Sequence, residues 1–301
     1  MDLHNKSEKF LEIIEEIKKE KQYKPAIIEK DYYVTLFLKT LVKNLPNLIF
    51  RGGTSLSKCH KVINRFSEDI DISVEFTNKL SQGAHKKVKA AIVKTVDELG
   101  MKILNIQDTR SRRDFNKYKI DYDSVYKLPE LKQYLFVETY VALPSFPCET
   151  KAVTSIVQDF LEEKGFGGTA KEFGLTAFDI RVQSLDRTLI DKIFALGDYY
   201  LENKEEGHSR HIYDIYKISP LVKIDNDFKN LFLKVRELRK QSQYCYSAQT
   251  DVDLQKILRD IVDKDIYKKD FEGKTKQLLF EEVEYKDIRA ALKSLFETLF
   301  G

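Results

Sequence analysis

Asp69 and Asp71 lie one residue apart in SEDIDISVEF, where Asp69, Asp71, Ser73 and Glu75 alternate with Ile70, Ile72, Val74 and Phe76. Strict alternation predicts a half-buried strand over residues 69–76, and on a strand residues two apart point to the same side. The two carboxylates then stand side by side, where like charges repel unless a cation compensates them. Hard oxygen ligands suit Mg2+, with Mn2+ as a substitute, and such an ion keeps positions for water and phosphate oxygens. The pair can therefore organise phosphoryl transfer, in which a metal neutralises the phosphates and orients an attacking hydroxyl. The bland alternative is a solvent-facing edge strand. Spacing alone carries nothing, because Asp121/Asp123, Asp225/Asp227, Asp251/Asp253 and Asp263/Asp265 repeat it without the alternation.

Upstream, a short apolar run at 48–50 meets Arg51-Gly52-Gly53, followed by a helical pattern over 54–62. A turn between strand and helix points backbone N–H groups at an anion, so Gly52 and Gly53 can receive a triphosphate, with Ser55 adding a hydroxyl donor. The segment lacks the spacing of the ATPase phosphate loop, and Lys58 is misplaced for that role. Further along, Lys192 shares a helical stripe with Leu185, Leu189 and Leu196, so it either snorkels at the edge of a core or carries charge to a site. Asp214 follows Arg210 by four positions, the spacing of a plain helical ion pair. His208 and His211 have no Cys or carboxylate spacing that would make them a zinc pair.

Taken together, the stretches IIEKDYYVTLFLKTL, FRGGTSLSK, RFSEDIDIS, SLDRTLIDKIFALGD and SRHIYDIYKI resemble the AbiEii/AbiGii toxin family of nucleotidyltransferases, over about two thirds of the chain, from Ile27 to Ile218. The resemblance implies a nucleoside triphosphate substrate and a divalent metal on Asp69 and Asp71. It adds Lys192 and Asp214 as catalytic residues and Arg210 as a supporting or phosphate-facing cation. A third carboxylate from a neighbouring strand is expected in such enzymes. Glu138 is the candidate, Glu149 is the alternative, and the position can also go unfilled. Arg65 and Ser67 would support the Asp69 strand. The resemblance further implies an RNA acceptor, such as a tRNA 3′ end, a role in toxin-antitoxin or phage-defence systems, and a cognate antitoxin, often a winged-helix regulator. Two other readings stay open: transfer to a small hydroxylated molecule or a protein, and a catalytically silent nucleotide-binding interaction protein.

The elements that must position these residues follow from periodicity. Helices are expected over 7–22, from Pro25 to before Pro46, and over 87–99. Strands are expected at 101–106, 118–122, 136–142 and 177–182. Beyond that the pattern is helical at 185–201, 209–218, 226–240, 254–263 and 285–300. The fold class is α+β: a nucleotidyltransferase-like mixed sheet with flanking helices over 1–182, followed by a helical domain over 183–301 that contributes Lys192 and Asp214.

The 301 residues, 42% hydrophobic, suffice for a large core. Cys59, Cys148 and Cys245 are odd in number and form no CxxC pair, which points to reduced thiols in a cytoplasm. No apolar run approaches the length of a membrane span, so a soluble cytoplasmic protein is expected. The formal charge is only +3, yet residues 86–119 hold ten Lys or Arg against four acids, net +6. Either this is a solvated face or, with the Lys234/Arg236/Arg239/Lys240 cluster, it tracks an acceptor backbone. Tyr244 and Tyr246 can stack on bases, with core packing the competing role.

Overall fold

A computed structural model describes residues 2–77, 79–129 and 131–301. Two compact units divide the chain. The first comprises 1–59, 67–144 and 148–182, and the second 60–66, 145–147 and 183–301.

The first unit opens with α1 (Ser7–Lys21) and α2 (Pro25–Asn44). Pro25 sits at the first turn of α2, where its missing N–H costs nothing, and Leu45, with non-helical backbone before Pro46, ends the helix. Then follow β1 (Leu48–Arg51), α3 (Gly52–Lys58), β2 (Ile70–Val74), α4 (Gln82–Glu98), β3 (Lys102–Ile103), β4 (Phe115–Asp121) and β5 (Leu135–Tyr140). The unit closes with β6 (Cys148–Val153), α5 (Ile156–Glu163), α6 (Gly167–Glu172) and β7 (Phe178–Gln183). The strands form one seven-stranded sheet in the order β3-β4-β5-β2-β1-β7-β6. β2 lies at its centre, antiparallel to β1 and parallel to β5. The apolar faces of β1, β2, β4 and β5 join Ile28, Phe37, Leu38, Leu41 and Ile92 of α2 and α4 in one core. Ser81 and Ser155 cap α4 and α5, each accepting an N–H of the first turn.

Helices build the second unit: α7 (Leu185–Leu201), α8 (Arg210–Ile218), α9 (Asn226–Lys240), α10 (Leu254–Asp263), α11 (Lys268–Gly273) and α12 (Tyr285–Phe300). α7 is the central one, packing on α8, α9 and α10 and burying Leu189, Ile190, Ile193, Phe194 and Leu196 completely. Its Gly197 is required by packing, since a Cβ there would come within 2.7 Å of the Ser247 Cβ. Ser184 caps α7 through the Arg187 N–H, worth about 1 kcal/mol. The early segment around Arg65 is stitched to 278–280: Phe66 N–H donates to Leu278 O, and Phe280 N–H to Asn64 O.

Four of the five Asp-x-Asp pairs receive ordinary tasks. Asp225 and Asp253 cap α9 and α10. Asp123 and Asp265 adopt left-handed turn backbone, which Asp tolerates better than most residues. Among the described residues, no helix is long and apolar enough to cross a membrane. All three cysteines are free, with Cys59 and Cys245 buried and Cys148 partly so.

Candidate active site

The alternation that predicts a strand is realised in β2, which is shorter than expected at both ends. Its polar side is open only at the start. Ser73 is buried, whereas Asp71 remains partly exposed. Antiparallel pairing sets Asp71 opposite Arg51, the residue that leads into Gly52. The turn is so close to the carboxylate that a Cβ on Gly52 would lie 1.9 Å from Asp71 Oδ2. Gly52 also has φ +76°, in the region that side-chain-bearing residues rarely adopt. The Gly-Gly turn and Asp71 therefore form one continuous surface, and glycine is the residue that permits it.

The turn is fixed to the Asp69 backbone by Thr54, a residue that motif reasoning passed over. Its buried hydroxyl donates to Asp69 O at 2.6 Å, with Ser67 Oγ beside it at 3.1 Å. Ser55 is a correction. It is fully buried and its one hydroxyl proton goes to Gly52 O at 2.8 Å, so it braces the turn instead of facing a phosphate.

Glu138 on β5 is the register partner of Asp71, and residues directly opposed on neighbouring strands share a face. Glu149 lies on β6, three strands from β2, where it pairs with Lys151. Two lysines meet the carboxylates of the first unit. Lys132 Nζ reaches both Asp69 oxygens at 2.6 Å, and Lys117 Nζ reaches Glu138 Oε1 at 2.6 Å. An ammonium against both oxygens of Asp69 marks a cation position there, and the hard oxygen donors of Asp69 and Asp71 fit Mg2+. Among the described residues, no three His, Cys, Asp or Glu side chains are grouped closely enough to hold a metal by themselves. Water and phosphate oxygens would have to complete its shell.

Lys192 and Asp214 come together in the second unit, facing each other from α7 and α8. Asp214 is completely buried. Arg65 donates Nε and Nη2 to its two oxygens at 2.7 Å each, and Lys192 Nζ donates to Oδ2 at 2.5 Å. Burial works to raise the Asp214 carboxyl, but Arg65 first and then Lys192 hold it below the ordinary carboxylate range. Burial also lowers Lys192, opposed by Asp214. One expectation changes here. The Arg65 fork goes to Asp214. The acid is taken by Arg65 and Lys192 and not by Arg210 one turn earlier. Arg210, half-buried, disfavours protonation of Lys192 and His211 through its charge, after the larger effect of burial.

Most of the SLDRTLIDKIFALGD stretch is architectural. Buried Arg187 binds Asp191 and Phe146 O, while Arg239 joins Asp191 to Asp198, which in turn holds Ser247. Arg239 is thus withdrawn from any role on an acceptor. So is Arg236, whose guanidinium donates to Ala248 O, Gln249 O and Val252 O. Tyr244 is 72% exposed, so core packing does not explain it. Arg110, Arg112 and Arg113 are exposed on the segment before β4.

A family model described as nucleotidyl transferase AbiEii toxin, type IV TA system, matches residues 36–297. No curated protein matches the sequence. Among solved structures, MenT4, a nucleotidyltransferase toxin from Mycobacterium tuberculosis, shares the fold, with a TM-score of 0.51 at 18% identity, covering 91% of this chain and 84% of that one.

Proposed function

Because the chain belongs to the AbiEii family of nucleotidyl transferase toxins of type IV toxin-antitoxin systems, we propose that it is a Mg2+-dependent enzyme transferring a nucleoside monophosphate from a triphosphate to an RNA acceptor. The observation that carries this reading is the Gly52 backbone pressed against Asp71, with Glu138 beside it. A phosphate-receiving turn and a cation-demanding carboxylate occupy one surface.

In this reading the N–H groups at Gly52 and Gly53 receive the triphosphate, and Asp69 and Asp71 hold the metal. α3 has only seven residues, so its dipole adds little and the N–H groups carry the contact. A bound Mg2+ would supply charge neutralisation on the phosphates and a site for the acceptor oxygen. Glu138 stands as a neighbouring carboxylate able to bind a metal-held water or take the acceptor hydroxyl's proton. Lys192, Asp214 and Arg210 are the site residues that this reading takes from the second unit, with Asp214 and Arg65 fixing the Lys192 ammonium.

The RNA acceptor is supported by cations laid over aromatic rings on the face that bears Glu138. Lys117 lies over Phe136 at 4.6 Å and Lys119 over Tyr134 at 3.9 Å. Such alternation suits a phosphate backbone with splayed bases. A tRNA 3′ end, growth arrest or phage defence, and a cytoplasmic setting with a cognate antitoxin belong to the same reading. The test is incubation with Mg2+, each labelled triphosphate in turn and total cellular RNA. A discrete labelled RNA band is expected. Label on a small hydroxylated metabolite or a protein instead, with RNA blank under every triphosphate, would overturn the RNA acceptor.

A further inference from the structure

Three consecutive charges on α2 are withdrawn from solvent. Glu29 and Lys30 are each 1% exposed, and Asp31 is partly buried. Successive helical residues diverge by about 100°, so each reaches a different segment of the first unit. Asp31 holds Lys58 at 2.5 Å and the Ile156 N–H at 2.8 Å. Glu29 accepts the Ser124 hydroxyl at 2.7 Å and the Val125 and Tyr126 N–H groups at 2.9 and 3.2 Å. Lys30 donates to Glu68 at 2.5 Å and to Lys132 O. Glu68 in turn accepts the Lys132 N–H at 3.1 Å.

The outcome is that, between β4 and β5, the chain is held at 124–126 by Glu29 and at Lys132, through its own N–H and C=O, by Glu68 and Lys30. A buried lysine and glutamate are an expensive way to hold a loop, since each must be desolvated. What the clamp delivers is the Lys132 side chain. Its ammonium covers both oxygens of Asp69 and lies 5.2 Å from the Phe136 ring centroid, while the side chain is 38% exposed.

We propose that Lys132 is an internal counter-ion that caps Asp69 while the site is empty and gives way to the divalent cation on loading, moving its charge onto the incoming phosphates. This rests on the metal reading of Asp69 given above. The clamp fixes the Cα, and the four methylenes provide the travel. Lys132 is thereby a positioning and gating residue: it prevents the repulsion of Asp69 and Asp71 in the unloaded protein, and it makes metal and nucleotide entry cooperative, because the ammonium leaves the carboxylate more readily when a phosphate is there to take it.

Mn2+ binding, read from loss of the free-ion resonance in electron paramagnetic spectra, tests the exchange without turnover. Lys132→Gln should bind Mn2+ about threefold to tenfold more tightly than wild type, as expected for removing a partly exposed competing charge. Lys132→Arg should stay near wild type. Lys119→Gln removes a charge from the same sheet face without uncovering a carboxylate, and should change Mn2+ affinity less than about twofold. With Mn2+ present, inorganic tripolyphosphate should bind Lys132→Gln more weakly. Unchanged Mn2+ affinity in Lys132→Gln, or equal tightening in Lys119→Gln, overturns the exchange. Asp69→Asn separates the two readings: if it loses Mn2+ binding, the metal site stands whatever Lys132 does, and if it binds as wild type does, metal site and exchange fall together.

Discussion

Replacing Asp214 by Asn removes one negative charge from a cluster where it balances two cations, all three side chains being at most 8% exposed. The carboxylate accepts three charge-assisted hydrogen bonds, at 2.7, 2.7 and 2.5 Å. The isosteric amide leaves no cavity, but turns its NH2 toward at least one donor and leaves Arg65 and Lys192 without an acid. Breaking a buried pair in this way costs about 3–5 kcal/mol. That is a large share of the roughly 5–15 kcal/mol that holds a typical domain together. At about 2–4 °C per kcal/mol, the melting temperature should fall by roughly 10 °C. The diagnostic is the double variant. Lys192→Met on the Asp214→Asn background removes one of the two orphaned cations and should recover part of the loss, a coupling that packing loss alone cannot produce. The pH dependence follows in sign. Asp214 is depressed when folded, so its contribution is complete above its ordinary value of 3.8 and is lost as pH falls toward the folded value. Wild type should therefore lose this increment only below about pH 4, and Asp214→Asn should show none of it. Thermal and denaturant unfolding followed by circular dichroism measures each quantity. A loss under about 1 kcal/mol, or a double variant weaker than Asp214→Asn, would refute the charge accounting.

Gly52→Ala should behave as an active-site lesion: left-handed backbone costs about 1 kcal/mol, and the displaced Asp71 should reduce transfer as severely as Asp71→Ala. Normal turnover with a normal melting curve would show that the close approach is dispensable. Asp69→Asn and Asp71→Asn should each abolish transfer while melting within about 1 kcal/mol of wild type, because both sites retain solvent access. Neutralising Arg110, Arg112 and Arg113 together should raise the KM for RNA and flatten its salt dependence, leaving triphosphate binding unchanged. A fall in triphosphate affinity instead would move these arginines from acceptor to nucleotide.

What the sequence discloses depends on how local the physics is. The helices of the second unit carry clean periodicity, and α7, α9, α10 and α12 begin and end where the pattern says. The strand bearing Asp71 is legible too, although it is shorter than the alternation predicts and Asp69 lies just before it. β6 is not: it is an edge strand, CETKAV, with only Val153 buried, so no alternation marks it. The strand expected at 101–106 contracts to Lys102–Ile103, because the chain turns there into a short 3-10 segment. Within the candidate site, residue type nominated the acids and glycines but could not assign partners far away in sequence. Arg65 meets Asp214 across 149 positions and Lys132 meets Asp69 across 63. The EKD triplet reads as an ordinary charged helix surface until the segments it pins are seen. Ser55 fails as a phosphate donor for a simpler reason, the inward turn of one helical position.

The interleaving of the second unit sets a timetable for synthesis. Arg65 leaves the ribosome 149 residues before the acid it needs, an interval of roughly ten to thirty seconds at ordinary elongation rates. Through that time its guanidinium lacks the Asp214 carboxylate that holds it in the folded chain. The three-charge cluster can close only after residue 214 has emerged, so a truncated product released early carries the Asp69 strand but not Lys192 held by Asp214. A gene cut at residue 182 yields one piece that carries Arg65 without Asp214 and another that carries Asp214 and Lys192 without the Arg65 fork, so neither half holds the three-charge cluster.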